Sequence, residues 1–224
     1  MFSLVKPPAS SVMQSLVALL LTAVVLFASA GRLGIAAFWW YLAVLCAVSG
    51  IGLLIIDPDL ARERMRPGGR RLPSKYLFVA LVPLAHWAIA GLDRGRLHWS
   101  DTVATALQVA GLALFALALS VVLWAMHVNR FFSSVARIQG ERGHHVIVNG
   151  PYQWVRHPGY AAAIIAALAS GVALGSWFST AIAAIAVPLL LWRTHGEDRL
   201  LEEGLPGYKD YAERVRYKLA PGIW

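Results

Sequence analysis

The stretch that decides the fold is residues 161–192, AAAIIAALASGVALGSWFSTAIAAIAVPLLLW, which carries no charged residue. It is long enough to cross a bilayer once outright, or to form two shorter apolar arms around Gly175 and Ser176. Directly before it stands GPYQWVRHPGY, residues 150–160, with an Arg, a His, two Pro, two Tyr and a Trp. Working outward, further apolar segments fall at 12–30, 37–56, 76–92 and 103–126. The long stretch divides into 160–175 and 177–193. In hydrocarbon every backbone polar group must be paired within its own segment, so these segments read as helices. The expectation is an all-α, polytopic integral membrane protein of six transmembrane helices. The last two form a short helical hairpin closed by the turn LGSW.

Composition agrees. The 224 residues are 58% hydrophobic and 14% charged, with mean hydropathy +0.59. Soluble domains carry about a quarter charged residues. The single cysteine, Cys46, lies in an apolar run and excludes an intrachain disulfide. At the N-terminus, Lys6, the apolar run 16–28 and ASA at 28–30 have the form of a secretory signal. The length of Val12 to Ala30 favours an uncleaved first span instead.

The net charge of +8 reads as basic cytoplasmic loops rather than a nucleic-acid surface. The loop 57–75 holds Arg62, Arg64, Arg66, Arg70, Arg71 and Lys75. Six spans that place this loop inside put both termini there as well. Seventeen of the 20 basic residues then face the cytoplasm, and only Arg32, Arg94 and Arg96 face out. The polar segments 127–159 and 193–224 fall on the cytoplasmic side. The Ala- and Arg-rich composition points to a bacterial inner membrane. Residues 1–126 read as membrane spans and 127–224 as the chemical core, within one structural domain.

In 127–160, NGP at 149–151 signals a turn, and Pro158 favours extended backbone at His157 followed by a helix start. His157 and Tyr160 then lie near a helix N-terminus, which favours anionic groups. The same Arg, Tyr and Trp residues serve equally well as a headgroup belt. In 192–224, Arg193 and Glu197 are spaced i, i+4, as in an ordinary helix pair. GLPG at 204–207 breaks that helix. Tyr208, Tyr211, Val215 and Leu219 recur at near-helical spacing, which predicts a short amphipathic helix on the membrane or over the site. His86 lies in an apolar segment near Pro83, and Asp57 and Asp59 read as solvated turn acids. His127, His144, His145, His157 and His195 lack metal-site spacing, so no metal is expected. No dinucleotide fingerprint, P-loop or nucleophile elbow is present.

Taken in order, Asn129, His144, Ile147, Gly150, Tyr152, Arg156, His157, Pro158 and Tyr160, then the hairpin 160–193, then Arg193, Glu197, Asp198, Gly207, Tyr208 or Tyr211 and Pro221 form a pattern. It resembles the family of isoprenylcysteine carboxyl methyltransferases and phospholipid N-methyltransferases. The resemblance covers 127–224. It departs where the family often has two glutamates and this chain has Glu197-Asp198. It departs again at Arg137, where a cofactor-contacting Gln is the pattern and Gln139 stands two residues on.

The resemblance implies a membrane methyltransferase using S-adenosylmethionine. Gln139, His144, Val146, Ile147, Tyr152, His157, Pro158, Gly159 and Tyr160 would line the cofactor, and Glu197 would balance its positive charge. Arg193 and Asn129 would serve the reaction, Arg193 by contacting a lipophilic acceptor, best a carboxylate. The partners expected are that lipophilic acceptor and membrane lipids, with no nucleic acid. Two other readings share the features: an NADPH-dependent reductase resembling sterol reductases, which have a similar RHPxY C-terminus, and a non-enzymatic membrane scaffold.

Overall fold

The computed structural model describes residues 6–69 and 77–224, and no strand occurs among them. Arg70, Arg71 and Lys75 of the basic loop lie outside the described residues. The helices are α1 (Ala9–Ala30), α2 (Ala36–Ile55), α3 (Pro58–Met65), α4 (Leu77–Leu92), α5 (Thr105–Val128), α6 (Pro158–Leu174), α7 (Trp177–Ala184), α8 (Ala186–Gly204) and α9 (Tyr208–Arg214). This is a helical integral membrane protein. Among the described residues, four helices are long and apolar enough to cross a bilayer: α1, α2, α5 and the continuous pair α7–α8.

The expected six apolar segments all appear as helices, but they are unequal. Helix α6 has 17 residues, about 26 Å at 1.5 Å per residue, a little under a ~30 Å hydrocarbon core. Its hairpin partner corrects the expectation of a short second arm, because α7–α8 spans 28 residues, to Gly204. The physical reason is that no breaker intervenes before GLPG. Pro188 only bends the pair at Ile185, since it has no N–H to offer the Ala184 carbonyl.

The core gathers Leu26, Phe38, Tyr41, Phe115, Ala166 and Leu174 from α1, α2, α5 and α6. Small residues set the hairpin's spacing. A Cβ on Gly171 would lie 2.4 Å from Thr180 Cα, so α6 and α7 touch backbone to backbone. A buried polar chain ties α2, α4, α6 and α7. His86 Nε2 meets Ser170 Oγ at 2.7 Å, and its Nδ1 meets Ser179 Oγ at 2.6 Å. Ser170 Oγ in turn meets the Tyr41 hydroxyl at 2.8 Å. His86 is therefore a packed histidine with both nitrogens engaged. Such interhelical bonds contribute roughly 0.6–2 kcal/mol each.

The loops sort into two groups at opposite ends of the bundle. At one end Asp93 accepts from Ser100 Oγ and Ser176 Oγ, both at 2.5 Å. There too Arg32 donates to the Arg94 carbonyl at 2.6 Å and Arg96 to the Ala28 carbonyl at 3.2 Å. At the other end α3 and the segments 129–157 and 193–224 interlock. Arg142 donates to Asp59 Oδ2 from Nη2 at 2.6 Å, and Arg137 to Glu63 from Nε and Nη2, both at 2.9 Å. The acids at 57–59 are solvent-exposed turn acids as expected, and both also hold structure. Asp57 caps α3 by accepting the Asp59 N–H at 2.7 Å, and Asp59 pins the loop that carries Arg142.

Candidate active site

The segment between α5 and α6 holds only short 3-10 turns at Gly140–Arg142 and Gly150–Gln153. Its backbone therefore depends on side chains for order. Asn129, just past α5, accepts the Phe131 N–H at 2.9 Å and donates to the Tyr152 hydroxyl at 3.1 Å. Gln139 is 1% exposed and donates from Nε2 to the Phe131 carbonyl at 2.7 Å. Its Oε1 accepts from Arg142. The Gln139 N–H donates to His144 Nδ1 at 3.2 Å. With Nδ1 used as an acceptor, neutral His144 carries its proton on Nε2. Burial first, then the positive surroundings of His145, Arg142 and Arg137, lowers its pKa to about 4.

At the start of α6, His157 occupies the position before the first turn and Pro158 is its first residue. The C-terminal segment crosses underneath. Arg156 and His157 donate their N–H groups to the carbonyls of Tyr217 and Lys218, both at 2.9 Å. Asp198 on α8, 1% exposed, is the hub. It accepts from Arg156 Nε at 3.0 Å and Nη2 at 2.8 Å, from the Tyr208 hydroxyl at 2.8 Å and from Lys218 at 3.2 Å. It also pairs with His157 Nε2 at 3.0 Å. The neighbouring Glu197 points elsewhere. Its Oε2 accepts from the Tyr160 hydroxyl at 2.6 Å, and that hydroxyl accepts from Arg193 Nε at 2.6 Å. Arg193 and Glu197 thus share a helix face as their spacing predicts, but Tyr160 stands between them.

These elements surround an open-mouthed cavity. Phe131, Phe132, Tyr152 and Tyr160 line it with rings, Glu197 with a carboxylate, and His144 and Arg137 with N–H donors. Gly159 gives the Phe132 ring its place, since a Cβ there would lie 2.4 Å from Phe132 Cε2. Such walls suit a ligand with a flat ring and a positive centre.

Of the site residues expected from sequence, Asn129, His144, Tyr152, His157, Gly159, Tyr160 and Glu197 line the cavity. Gln139, Val146, Ile147, Pro158 and Arg193 are absent from that lining. Val146 packs under α9 with Leu205, Tyr208 and Tyr211. Arg193 reaches Tyr160 and the Ser134 carbonyl. Arg137, the departure from the family pattern, is on the wall, and Gln139 stands behind it as a loop brace. Burial tends to raise the Glu63 pKa, but the hydrogen bonds from Arg137, Gly68 and Ser133 outweigh it and hold it below the usual carboxylate value. The hub role of Asp198 was not legible in the sequence, nor was the part of Glu63. Apart from Gly68, Tyr208 and Lys218, their partners lie 41 to 74 residues away. Helix α9 closes over the site, with the Tyr211 hydroxyl donating to the Tyr152 carbonyl at 2.7 Å. It ends at Arg214, so Val215 and Leu219 are not on it.

Comparison with known proteins converges on the same region. Residues 109–203 match the isoprenylcysteine carboxyl methyltransferase (ICMT) family. Two proteins described as "Probable protein-S-isoprenylcysteine O-methyltransferase", from Oryza sativa subsp. indica and subsp. japonica, are each 35% identical over 93 residues. That alignment covers 39% of this chain and 47% of each relative, so the chain spans about half the length of the curated relatives it matches. From α5 through most of α8, then, this chain is similar to the isoprenylcysteine carboxyl methyltransferase family.

Proposed function

We propose that this protein transfers a methyl group from S-adenosylmethionine to the carboxylate of a lipophilic acceptor at the cytoplasmic face of the membrane. The observation that carries the reading is the cavity walled by Tyr160 and Glu197 where α6 and α8 leave the apolar region. It lies within the segment similar to the methyltransferase family. The basic-residue asymmetry supports a cytoplasmic site, with 127–224 as the core and the preceding helices as its membrane frame.

The residues present fit the donor. Its purine suits the ring walls, and its carboxylate suits the His144 and Arg137 donors. Its positive groups suit Glu197. When bound, it supplies an electrophilic methyl on a sulfonium. Transfer breaks the sulfur–carbon bond and forms a carbon–oxygen bond to the acceptor carboxylate. That carboxylate is already ionised at neutral pH, so no proton has to move and no general base is required.

The protein's work is orientation and exclusion of water. Tyr160 spans Arg193 and Glu197 and so couples the two polar ends of the site. Asp198 locks the start of α6 to α8, which holds Tyr160 opposite Glu197. The name of the plant relatives supports a prenylcysteine as acceptor, and any lipophilic carboxylate of similar shape meets the same chemistry.

The test measures donor binding by calorimetry and transfer of labelled methyl to an S-prenylcysteine acid. Glu197→Gln should weaken donor binding about ten- to hundredfold, the worth of one charge-assisted hydrogen bond. Unchanged affinity in a folded variant removes Glu197 from the site. Donor binding without transfer to any lipophilic carboxylate rejects the acceptor class.

A further inference from the structure

Position 137 carries Arg where the family pattern has Gln, and the exchange comes with its own anion. A neutral Gln needs none. A long cationic side chain on a cavity wall does, and it must also be held still. Helix α3, outside the segment that matches the family, supplies that anion from behind the wall. Glu63 is absent from the cavity lining, but it bonds two residues that line it. It accepts from Arg137 Nε and Nη2, both at 2.9 Å, and from Ser133 Oγ at 3.0 Å. Past the end of α3, Gly68 turns the chain at φ +60, and its N–H donates back to Glu63 at 3.1 Å.

Arg137 holds a second carboxylate of a different kind. Glu141 Oε1 accepts from Nη2 at 2.6 Å. The Glu63 side chain is 6% exposed and the Glu141 side chain 56%. The first makes a paired, planar contact away from water, the stronger sort. The second makes a single contact in solvent, the weaker sort. Glu141 sits on the turn Gly140–Arg142. A Cβ on Gly140 or Gly143 would meet open space, so nothing packs against the ends of that turn. Arg137 reflects the order of strength: its pKa is raised by the Glu63 hydrogen bonds first and by the Glu141 hydrogen bond second. Together these bonds use Nε and Nη2. Among the described residues Nη1 makes no hydrogen bond, and its N–H groups remain for a ligand.

We infer that Glu63 and Glu141 act in opposite senses on Arg137 as a holder of ligand carboxylate: Glu63 is a positioning residue, and Glu141 is an internal competitor. Glu63 fixes the plane of the guanidinium and so presents Nη1 at the cavity. Glu141 brings a negative charge to the same guanidinium and repels another carboxylate there. The identity of the ligand, the amino-acid end of S-adenosylmethionine, rests on the function proposed above.

The full chain in detergent is titrated by calorimetry with S-adenosylmethionine and with its decarboxylated analogue. Wild-type protein should bind the carboxylated ligand about tenfold tighter, the lower end for one charge-assisted hydrogen bond. Glu141→Gln should raise that ratio about two- to fivefold by tightening the carboxylated ligand, with the melting transition unchanged. The gain should vanish in an Arg137→Gln background. Loss of a merely structural contact gives no such gain. Glu63→Gln should bring the ratio towards one. Added to Arg137→Gln it should change the ratio no further, because Glu63 acts through Arg137. Glu63→Asp keeps the charge but draws it back, and it should lower the ratio where the Gln variant does not fold.

An unchanged or lower ratio in Glu141→Gln overturns the competitor. A wild-type ratio in Glu63→Gln or Glu63→Asp overturns the positioning role. Equal binding of both ligands by wild-type protein removes Arg137 from the carboxylate and overturns the inference whole, while the donor site stands. Binding of neither ligand by folded protein sinks the donor site itself, and the inference with it.

Discussion

Asp198 and Glu197 are adjacent in sequence, and the structure gives them different work, so exchanging Asp198 for Asn separates the two. Asp198 is 1% exposed, and the Arg156 side chain that pairs with it is 6% exposed. Both Arg156 contacts are short and parallel, and Tyr208, His157 and Lys218 converge on the same carboxylate. Asn has nearly the same shape but no charge, and it presents two donors where only acceptors are wanted. Leaving a buried guanidinium without its anion costs about 3–5 kcal/mol. For a chain of this size that corresponds to a fall in apparent melting temperature on the order of 10 °C. The assay is thermal unfolding in detergent, followed by tryptophan fluorescence. Asp198→Asn should melt well below wild type, whereas Glu197→Gln should melt near it. Lys218→Met, which removes a contact at 19% exposure, should cost far less than Arg156→Met. An Asp198→Asn protein that melts like wild type but has lost donor affinity would refute the reasoning. Asp198 would then be a ligand contact and not the hub that positions α6 on α8.

Arg193→Lys should leave donor affinity nearly intact and lower turnover on the order of a hundredfold. One ammonium cannot serve both the Tyr160 hydroxyl and the Ser134 carbonyl, and equal turnover of Lys and Arg would reduce Arg193 to a headgroup anchor. Burial lowers the His144 pKa from the ordinary 6.5 to about 4 in the folded chain. The unfolded chain therefore binds the extra proton first, and the histidine's contribution to loop stability is present above about pH 6.5 and lost as pH falls towards 4. Imidazole NMR shifts and exchange of the Gln139 amide should both report this, and a midpoint near 6.5 contradicts the buried, accepting Nδ1. In a Cys46→Ser background, cysteines at Gly68 and Arg96 should label from opposite faces, the first from the cytoplasm. Outer-face labelling at 68 would reverse the orientation drawn from the basic residues.

The apolar helices were legible in the sequence because the bilayer admits only one way to pair a backbone, so hydropathy and length suffice. The start of α6 at Pro158 and the break after Gly204 were legible for the same local reason: proline and glycine act on the backbone where they stand. The cluster from Asn129 to Tyr160 was legible as a site only through its ordered resemblance to a family, since its composition suited a headgroup belt equally well. The partners of the charges were decided by tertiary structure alone. Arg193 and Glu197 have the spacing of a direct pair, yet Tyr160 from α6 enters between them. Asp198 looks like an acidic neighbour of Glu197 and becomes a buried hub because α6, α9 and the C-terminal segment all arrive there. Glu63 and Arg64 look like one more stretch of a basic loop. They come to brace the lining residues Phe132 and Arg137 only when α3 folds onto residues 132–137. A helix propagates through neighbours four residues apart, but an ion pair forms between whichever groups the packed chain leaves together away from water, and no local pattern encodes that meeting.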